Sequence, residues 1–72
     1  MKNSIKVERA RRDMTQAQLA EKVNVSRQTI NAIESGNYNL STILALKIAA
    51  VFEVSVHDIF ELEEEDLNQP PK

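Results

Sequence analysis

Apolar residues recur along this chain at the spacing of helices. Leu19 and Val23 are four residues apart, Ile30 and Ile33 are three apart, and residues 44–52 repeat both intervals. Such intervals place side chains on one face of a helix, whereas a half-buried strand would alternate apolar and polar residues. The pattern therefore predicts an all-α fold, a compact bundle of five short helices around one core.

Hydroxyl side chains predict where four of these helices begin. A Ser or Thr just before a helix accepts a hydrogen bond from a free N–H group of its first turn, and the candidates are Thr15, Ser26, Ser41 and Ser55. Gln18 completes a capping box with Thr15. The predicted helices cover residues 5–12, 16–23, 27–35 and 42–53, followed by a short fifth helix that carries Val56, Ile59 and Phe60.

The second and third helices are joined by only about three residues, Val23 to Val25. So short a connection makes two helices cross steeply, and the second of them then projects from the body. Its outer positions carry mainly amides and a hydroxyl: Arg27, Gln28, Asn31 and Ser35. Asn and Gln pair with adenine, and Arg pairs with guanine, in the major groove of B-DNA. The third helix is therefore a candidate for reading base edges.

Length and composition bound the remaining possibilities. A chain of 72 residues makes one domain with a modest core. It has no cysteine, and no apolar run approaches the roughly 18 residues of a membrane span. Residues 1–13 lack the apolar core of a signal peptide. We therefore expect a soluble, cytoplasmic protein without disulfides or thiolate metal sites.

The charge is unevenly distributed along the chain. Residues 61–67 hold five of the eleven acidic residues, whereas residues 1–60 carry eight basic and six acidic groups, a net charge of +2. The body is therefore mildly basic, as a DNA partner requires, and the overall charge of −2 comes from the tail. We predict a folded domain over residues 1–62 and a disordered acidic tail over 63–72, serving either solubility or interaction with a partner.

A longer motif carries a family resemblance. The stretch "MTQAQLAEKVNVSRQTINAIESGNYNLS" followed by "LALKIAAVFEVSVHDIF" resembles the Cro and lambda-repressor class of helix-turn-helix regulators, the XRE family, and in particular its small stand-alone members. The likeness runs from about Asn3 to Leu62. It implies a lambda-repressor-like five-helix domain, which similar small regulators extend with a two-stranded antiparallel ribbon. "MKN" and "IFEL" are the candidate strands here.

Two positions depart from the family pattern in a way that tests the turns. Asp13 and Asn24 stand where glycine is common in the family. Both residue types tolerate the left-handed backbone conformation better than most others. We therefore expect both turns to be preserved.

The resemblance also assigns roles to individual residues. The positions that face base edges in the family are occupied by Arg27, Gln28 and Asn31, with Thr29 and Ala32 beside them. Phosphate-contacting positions are occupied by Gln16, Ser35, Asn37, Tyr38 and Asn39. Arg9 and Glu34 match a structural salt bridge that ties the third helix to the first.

Several of these residues have a second interpretation. Gln16 also suits the first turn of any helix, and Arg27 also suits a solvated surface charge or a phosphate contact. Tyr38 also suits a packing role between the third and fourth helices. His57 is interpreted as an ordinary surface residue, because a single histidine cannot build a metal or catalytic site.

The leading hypothesis is a homodimeric repressor that reads a palindromic operator in double-stranded DNA. One recognition helix reads too few base pairs to select a single genomic site, so two copies are needed. The candidate dimer residues are Leu40, Ile43, Val56 and Phe60. The alternative is an antitoxin or adaptor module that acts through a protein partner. Neither hypothesis involves enzymatic activity, a cofactor, a metal, a membrane or a small-molecule ligand.

Overall fold

The computed structural model describes residues 1–36 and 40–67 and confirms the predicted all-α architecture. Its five main helices are preceded and followed by single-turn or two-residue elements. In chain order the elements are β1 (Lys2–Asn3), α1 (Ile5–Arg11), α2 (Gln16–Val23), α3 (Arg27–Glu34), α4 (Thr42–Phe52), α5 (Val56–Ile59), β2 (Phe60–Glu61) and α6 (Glu64–Leu67).

The predicted caps set the angle between α2 and α3. Thr15 and Gln18 form a complete capping box, with the Thr15 hydroxyl accepting from the Gln18 backbone N–H at 3.0 Å. The Ser26 hydroxyl accepts from the Thr29 N–H at 3.1 Å. Between them Asn24 adopts the left-handed conformation, with φ 61° and ψ 47°. This conformation ends α2, so that α3 begins after a connection of three residues.

Left-handed residues also end other segments of the chain. Asp13 has φ 51°, as predicted, and Gly36 beyond α3 has φ 81°. The fourth helix ends one residue earlier than predicted, because Glu53 adopts φ 57° and becomes its left-handed cap. A glutamate at this position gives no local signal for such a turn, since Asn and Gly are the usual residues there.

The core lies between all five main helices. Its largest fully buried side chains are Ile5, Leu19, Ile30, Ile48 and Phe52. The inward face of α3 contributes Ile30 and Ile33, as its periodicity predicts. Because these apolar anchors fix one side of α3, the opposite side is held out toward solvent.

The predicted terminal ribbon is present. Strands β1 and β2 pair antiparallel, with Lys2 opposite Glu61 and Asn3 opposite Phe60. Phe60 therefore belongs to the strand rather than to the fifth helix, and its buried ring packs on the core. The Asn3 amide also donates to the Ile33 carbonyl at 2.8 Å, so the ribbon gives a second hydrogen bond to a carbonyl in the last turn of α3 that accepts from the Gly36 N–H at 3.0 Å.

The beginning of the predicted tail contains a helical turn. Residues Glu64–Leu67 form one helical turn, α6. The Asp66 carboxylate accepts from the Glu63 backbone N–H at 2.9 Å and from the N-terminal amino group of Met1, which also pairs with Glu63 at 3.1 Å. Ion pairs with the Met1 amino group hold this turn against the start of the chain, and composition does not predict them. The rest of the tail, residues 68–72, lies outside the described residues.

Candidate nucleic-acid interface

The outer face of α3 is a polar surface. Arg27, Gln28 and Asn31 are all exposed, and each lies on the side opposite Ile30 and Ile33. The structure thus brings the three central sequence-predicted readers together on one projecting helix. The amides of Gln28 and Asn31 offer both hydrogen-bond donors and acceptors, whereas the Arg27 guanidinium only donates.

A buried ion pair holds α3 against α1. The Arg9 Nε and Nη2 atoms donate to the two Glu34 oxygens at 2.7 and 3.0 Å, a bidentate geometry. The third donor, Nη1, bonds the Met14 carbonyl at 2.9 Å. Only 14% of the Arg9 side chain and 9% of the Glu34 side chain are exposed. The predicted structural pair is therefore formed and largely shielded from water.

Gln16 connects this ion pair to the outer face of α3. Its Nε2 atom donates to Glu34 Oε1 and to Asn31 Oδ1, each at 3.2 Å. Its Oε1 atom accepts from Arg27 Nη1 at 3.5 Å. The side chain at the start of α2 therefore touches the ion pair and two of the candidate readers. We call these four residues with Arg9 the reading network: Arg9, Gln16, Arg27, Asn31 and Glu34.

The remaining predicted residues of α3 are less available. Thr29 and Ala32 are only partly exposed, and the Thr29 hydroxyl is 2.9 Å from the Ser26 hydroxyl that caps the helix. Ser35 is exposed, but its hydroxyl donates to the Ala32 carbonyl at 2.9 Å. The three predicted loop residues, Asn37, Tyr38 and Asn39, lie outside the described residues.

The candidate dimer residues fall into two neighbouring groups. Leu40, Val56 and Phe60 line one apolar groove of about 710 Å³ between α4 and α5. Ile43 lies on the outer side of α4 and is 69% exposed. Leu46, one turn farther along, is 53% exposed and lines the groove. The two exposed side chains extend the groove across α4, and we call this combined surface the α4 patch.

A second charged cluster was not predicted. The Arg12 guanidinium donates to Glu8 Oε1 at 3.0 Å and to the Phe52 carbonyl at 2.7 Å, and it lies 4.9 Å from the centre of the Phe52 ring. Glu8, which is buried, also accepts from Arg11 at 3.1 Å. The three- and four-residue spacings of these charges were visible in the sequence. The contact with Phe52, 40 residues away, depends on the packing of α1 against the end of α4.

Comparison with models of known protein families identifies the family to which this chain belongs. The helix-turn-helix family model matches residues 5–59, which cover all five main helices. The chain belongs to this family. It is of the XRE type of transcriptional regulator, and the resemblance stated from its motif is confirmed.

Relatives and solved structures agree with this assignment. An uncharacterized HTH-type transcriptional regulator of Methanocaldococcus jannaschii is 52% identical over 92% of this chain and 100% of its own length. The similarly uncharacterized regulator YgzD of Bacillus subtilis is 50% identical over the same shares of the two chains. The crystal structure of SinR in complex with DNA superimposes with a TM-score of 0.67 and 35% identity, covering 74% of this chain and 86% of that one.

Two further observations concern the described part of the chain. Within residues 1–36 and 40–67, no group of three or more His, Cys, Asp or Glu side chains is arranged to hold a metal ion. None of the helices described there is long and apolar enough to cross a membrane. The family itself is one of transcriptional regulators rather than a class of enzymes.

Proposed function

We propose that this protein binds specific sequences of double-stranded DNA as a homodimer and represses transcription by occupying a palindromic operator. The observation that carries the proposal is the outer face of α3, where Arg27, Gln28 and Asn31 are exposed on a helix that is fixed from behind by a buried ion pair. A rigid helix with polar side chains suits the major groove. Such a role places the protein with the chromosome in the cytoplasm.

Phosphate contacts are assigned to the start of α2 and the margins of α3. Gln16 and Arg27 border a shallow depression of about 670 Å³, together with Thr15 and Ala17. Free N–H groups at a helix start attract phosphate oxygens, and the Arg27 guanidinium adds a positive charge. We assign Ser35 and the loop residues 37–39 to the other end of the same contact. Gln16, Ser35 and the loop residues position the protein on the duplex and do not select bases, whereas Arg27 also belongs to the base-facing surface.

Selection of bound sequences from a random duplex pool tests this proposal. We expect one enriched motif with twofold symmetry and half-sites centred about 34 Å apart. Affinity for that motif falls as salt increases, with a log–log slope of about −0.9 for each phosphate neutralised. Equal binding to random duplex would contradict the proposal and favour the protein-partner alternative.

Gln28→Ala then separates base reading from phosphate binding. Because Gln28 is exposed and lies outside the reading network, its truncation leaves the fold intact. We expect a loss of about 1 to 3 kcal/mol for the selected site and relaxed preference at one base pair. The same loss on every duplex would instead assign Gln28 to the phosphate class. Val7→Ala on α1 is a matched control for loss of an exposed side chain.

The dimer is assigned to the α4 patch. Helix α4 also carries apolar residues on its exposed side, where Ile43, Leu46 and Ala50 follow at helical intervals beside Lys47. An apolar groove beside two large exposed apolar residues is typical of a surface that another protein covers. A twofold partner would cover the same patch on both copies.

Ile43→Glu and Leu46→Glu test this interface by sedimentation. A carboxylate at either position would be desolvated in the dimer, so we expect dissociation to monomers with an unchanged helical circular dichroism spectrum. Val7→Glu is the matched control, because Val7 is 52% exposed on α1. A dimer that persists in both α4 variants would place the interface elsewhere.

A further inference from the structure

The ion pair between Arg9 and Glu34 holds α3 in place, and Glu34 also orients a neighbouring side chain, that of Gln16. A carboxylate only accepts hydrogen bonds and a guanidinium only donates them. Gln16 touches both kinds of group, Glu34 at 3.2 Å and Arg27 at 3.5 Å. Its amide nitrogen must therefore face Glu34, and its amide oxygen must face Arg27. The orientation of this side chain follows from the chemistry of its neighbours alone.

The same logic determines the orientation of Asn31. The nitrogen of Gln16 that faces Glu34 also lies 3.2 Å from the Asn31 amide. Two amide nitrogens cannot hydrogen-bond each other, so Asn31 must present its oxygen to Gln16. Its Nδ2 atom is then left on the solvent side of an exposed residue. The outer face of α3, which we call the reading face, consequently offers two N–H donors at the position of Asn31.

We infer that Asn31 is a specificity-determining residue that reads guanine, and that Glu34 and Gln16 set this choice by holding its amide as a donor. The inference rests on the proposed binding to DNA. Guanine presents two adjacent acceptors, N7 and O6, in the major groove. The bidentate pairing of Asn with adenine needs the amide oxygen as well as the nitrogen. That oxygen already accepts from Gln16, so a contact with adenine would have to share this atom with Gln16 or displace Gln16 from it.

The base pair that Asn31 reads is found first. Asn31→Ala removes both the donor and the acceptor, so the position of the selected motif at which preference disappears is the one that Asn31 contacts. We expect this position to be a G·C pair. Replacing it by A·T in the operator should weaken binding of the native protein about 5-fold to 150-fold, the range for one good base contact.

Gln16→Ala then tests whether the network sets the preference. Freeing the Asn31 oxygen permits the pairing with adenine, so the ratio of affinities for the G·C and A·T operators should fall to less than about 3-fold. The ratio is informative even though Gln16→Ala also removes a proposed phosphate contact, because that loss affects both operators equally. Val7→Ala, at an exposed position of α1 outside the network, should leave the ratio unchanged. Thermal unfolding of each variant confirms that the domain is folded.

Asn31→Asp provides a second test that keeps the shape of the side chain. The carboxylate still accepts from Gln16 but has no donor for guanine, so preference for G·C with guanine at this position should be lost. Val7→Glu introduces the same charge outside the outer face of α3 and should retain it.

The possible results are distinguishable. Native protein that selects A·T at the Asn31 position, that shows no position sensitive to Asn31→Ala, or that keeps its ratio in Gln16→Ala would overturn the inference while the proposed function stands. A pool with no enriched sequence would contradict the proposed function itself.

Discussion

Two arginines at the end of α1 connect it to different helices: Arg9 lies in the last turn, and Arg12 is the residue that caps it. Arg9 joins α1 to α3 through Glu34, and Arg12 joins α1 to the end of α4 through the Phe52 carbonyl. The Arg9 side chain is 14% exposed and the Arg12 side chain 32% exposed. Both have a buried carboxylate as partner, because only 9% of the Glu34 side chain and 11% of the Glu8 side chain are exposed.

The difference lies in what each partner touches next. Glu34 also accepts from Gln16, which reaches the exposed Asn31, so the effect of Arg9 extends to the reading face. The Arg12 contacts reach only Glu8 in α1 and Phe52 in α4, and neither residue lies on the outer face of α3. If Asn31 reads a base as proposed, these two similar ion pairs differ in function: the Arg9 pair supports stability and base selection, and the Arg12 pair supports stability alone.

Arg9→Met is expected to have the largest effect. It leaves Glu34 buried without its bidentate partner, which costs about 3 to 5 kcal/mol in the free energy of unfolding. For a domain of 72 residues this is a large part of the total stability. Urea unfolding followed by circular dichroism measures the change. A loss below about 1 kcal/mol would show that water compensates the carboxylate.

The double variant Arg9→Met/Glu34→Leu separates the two roles of the pair. Replacing both charges by apolar side chains of similar size is often neutral for stability. We expect most of the unfolding free energy to return, but not the base preference at the Asn31 position, because Gln16 no longer has its acceptor. Recovery of both properties would assign the ion pair to stability alone.

The sequence predicts the scaffold better than it predicts this network. The turn at Asn24 and the cap at Thr15 depend on neighbouring residues, and both are confirmed. The pairing of Arg9 with Glu34 came from a family resemblance, because nothing local relates residues 25 positions apart. The link from Gln16 to Asn31 depends on the crossing of α2 and α3, which fixes distances that periodicity does not contain.

The contacts at the end of α4 and at α6 were likewise not predictable from local sequence. The left-handed cap at Glu53 and the contact of Arg12 with Phe52 both depend on how α4 ends against α1. Helical turn α6 depends on contacts with Met1, which is distant in the sequence. Composition contains no such contact and therefore does not predict this turn.

Arg12→Met is expected to have a smaller effect than Arg9→Met. Hydrogen bonds to charged groups contribute about 1.5 to 3 kcal/mol, and Arg11 remains 3.1 Å from Glu8 as a second cation. The exposed third of the side chain reduces the loss further. We expect a loss of about 1 to 2 kcal/mol by urea unfolding and unchanged preference at every base pair. Altered base preference would contradict the division between the two arginines.

The ion pairs of the Met1 amino group with Glu63 and Asp66 are expected to contribute less to stability than those of Arg9 and Arg12, and they are the ones sensitive to pH. Hydrogen bonds to Asp66 and Glu63 raise the pKa of the Met1 amino group above its ordinary 8.0. The Glu63 backbone N–H and then the amino group lower the pKa of Asp66 below its ordinary 3.8. By linkage, the amino group stabilises the folded state below pH 8.0 and loses this effect as pH rises through its raised pKa.

Asp66 contributes in the opposite direction, since its effect is present above pH 3.8 and is lost as pH falls through the lowered pKa. We therefore expect α6 to be held between these limits and released on the alkaline side, with no change in unfolding of the core. Hydrogen exchange at the Leu67 amide, corrected for intrinsic rates between pH 6 and about 10, measures the release. In Asp66→Asn, whose amide oxygen can still accept from the Glu63 N–H, protection at pH 6 should already be reduced and should depend less on pH, because only the pairing of Met1 with Glu63 remains. Equal protection in both proteins across this range would show that the helical turn does not need the ion pair.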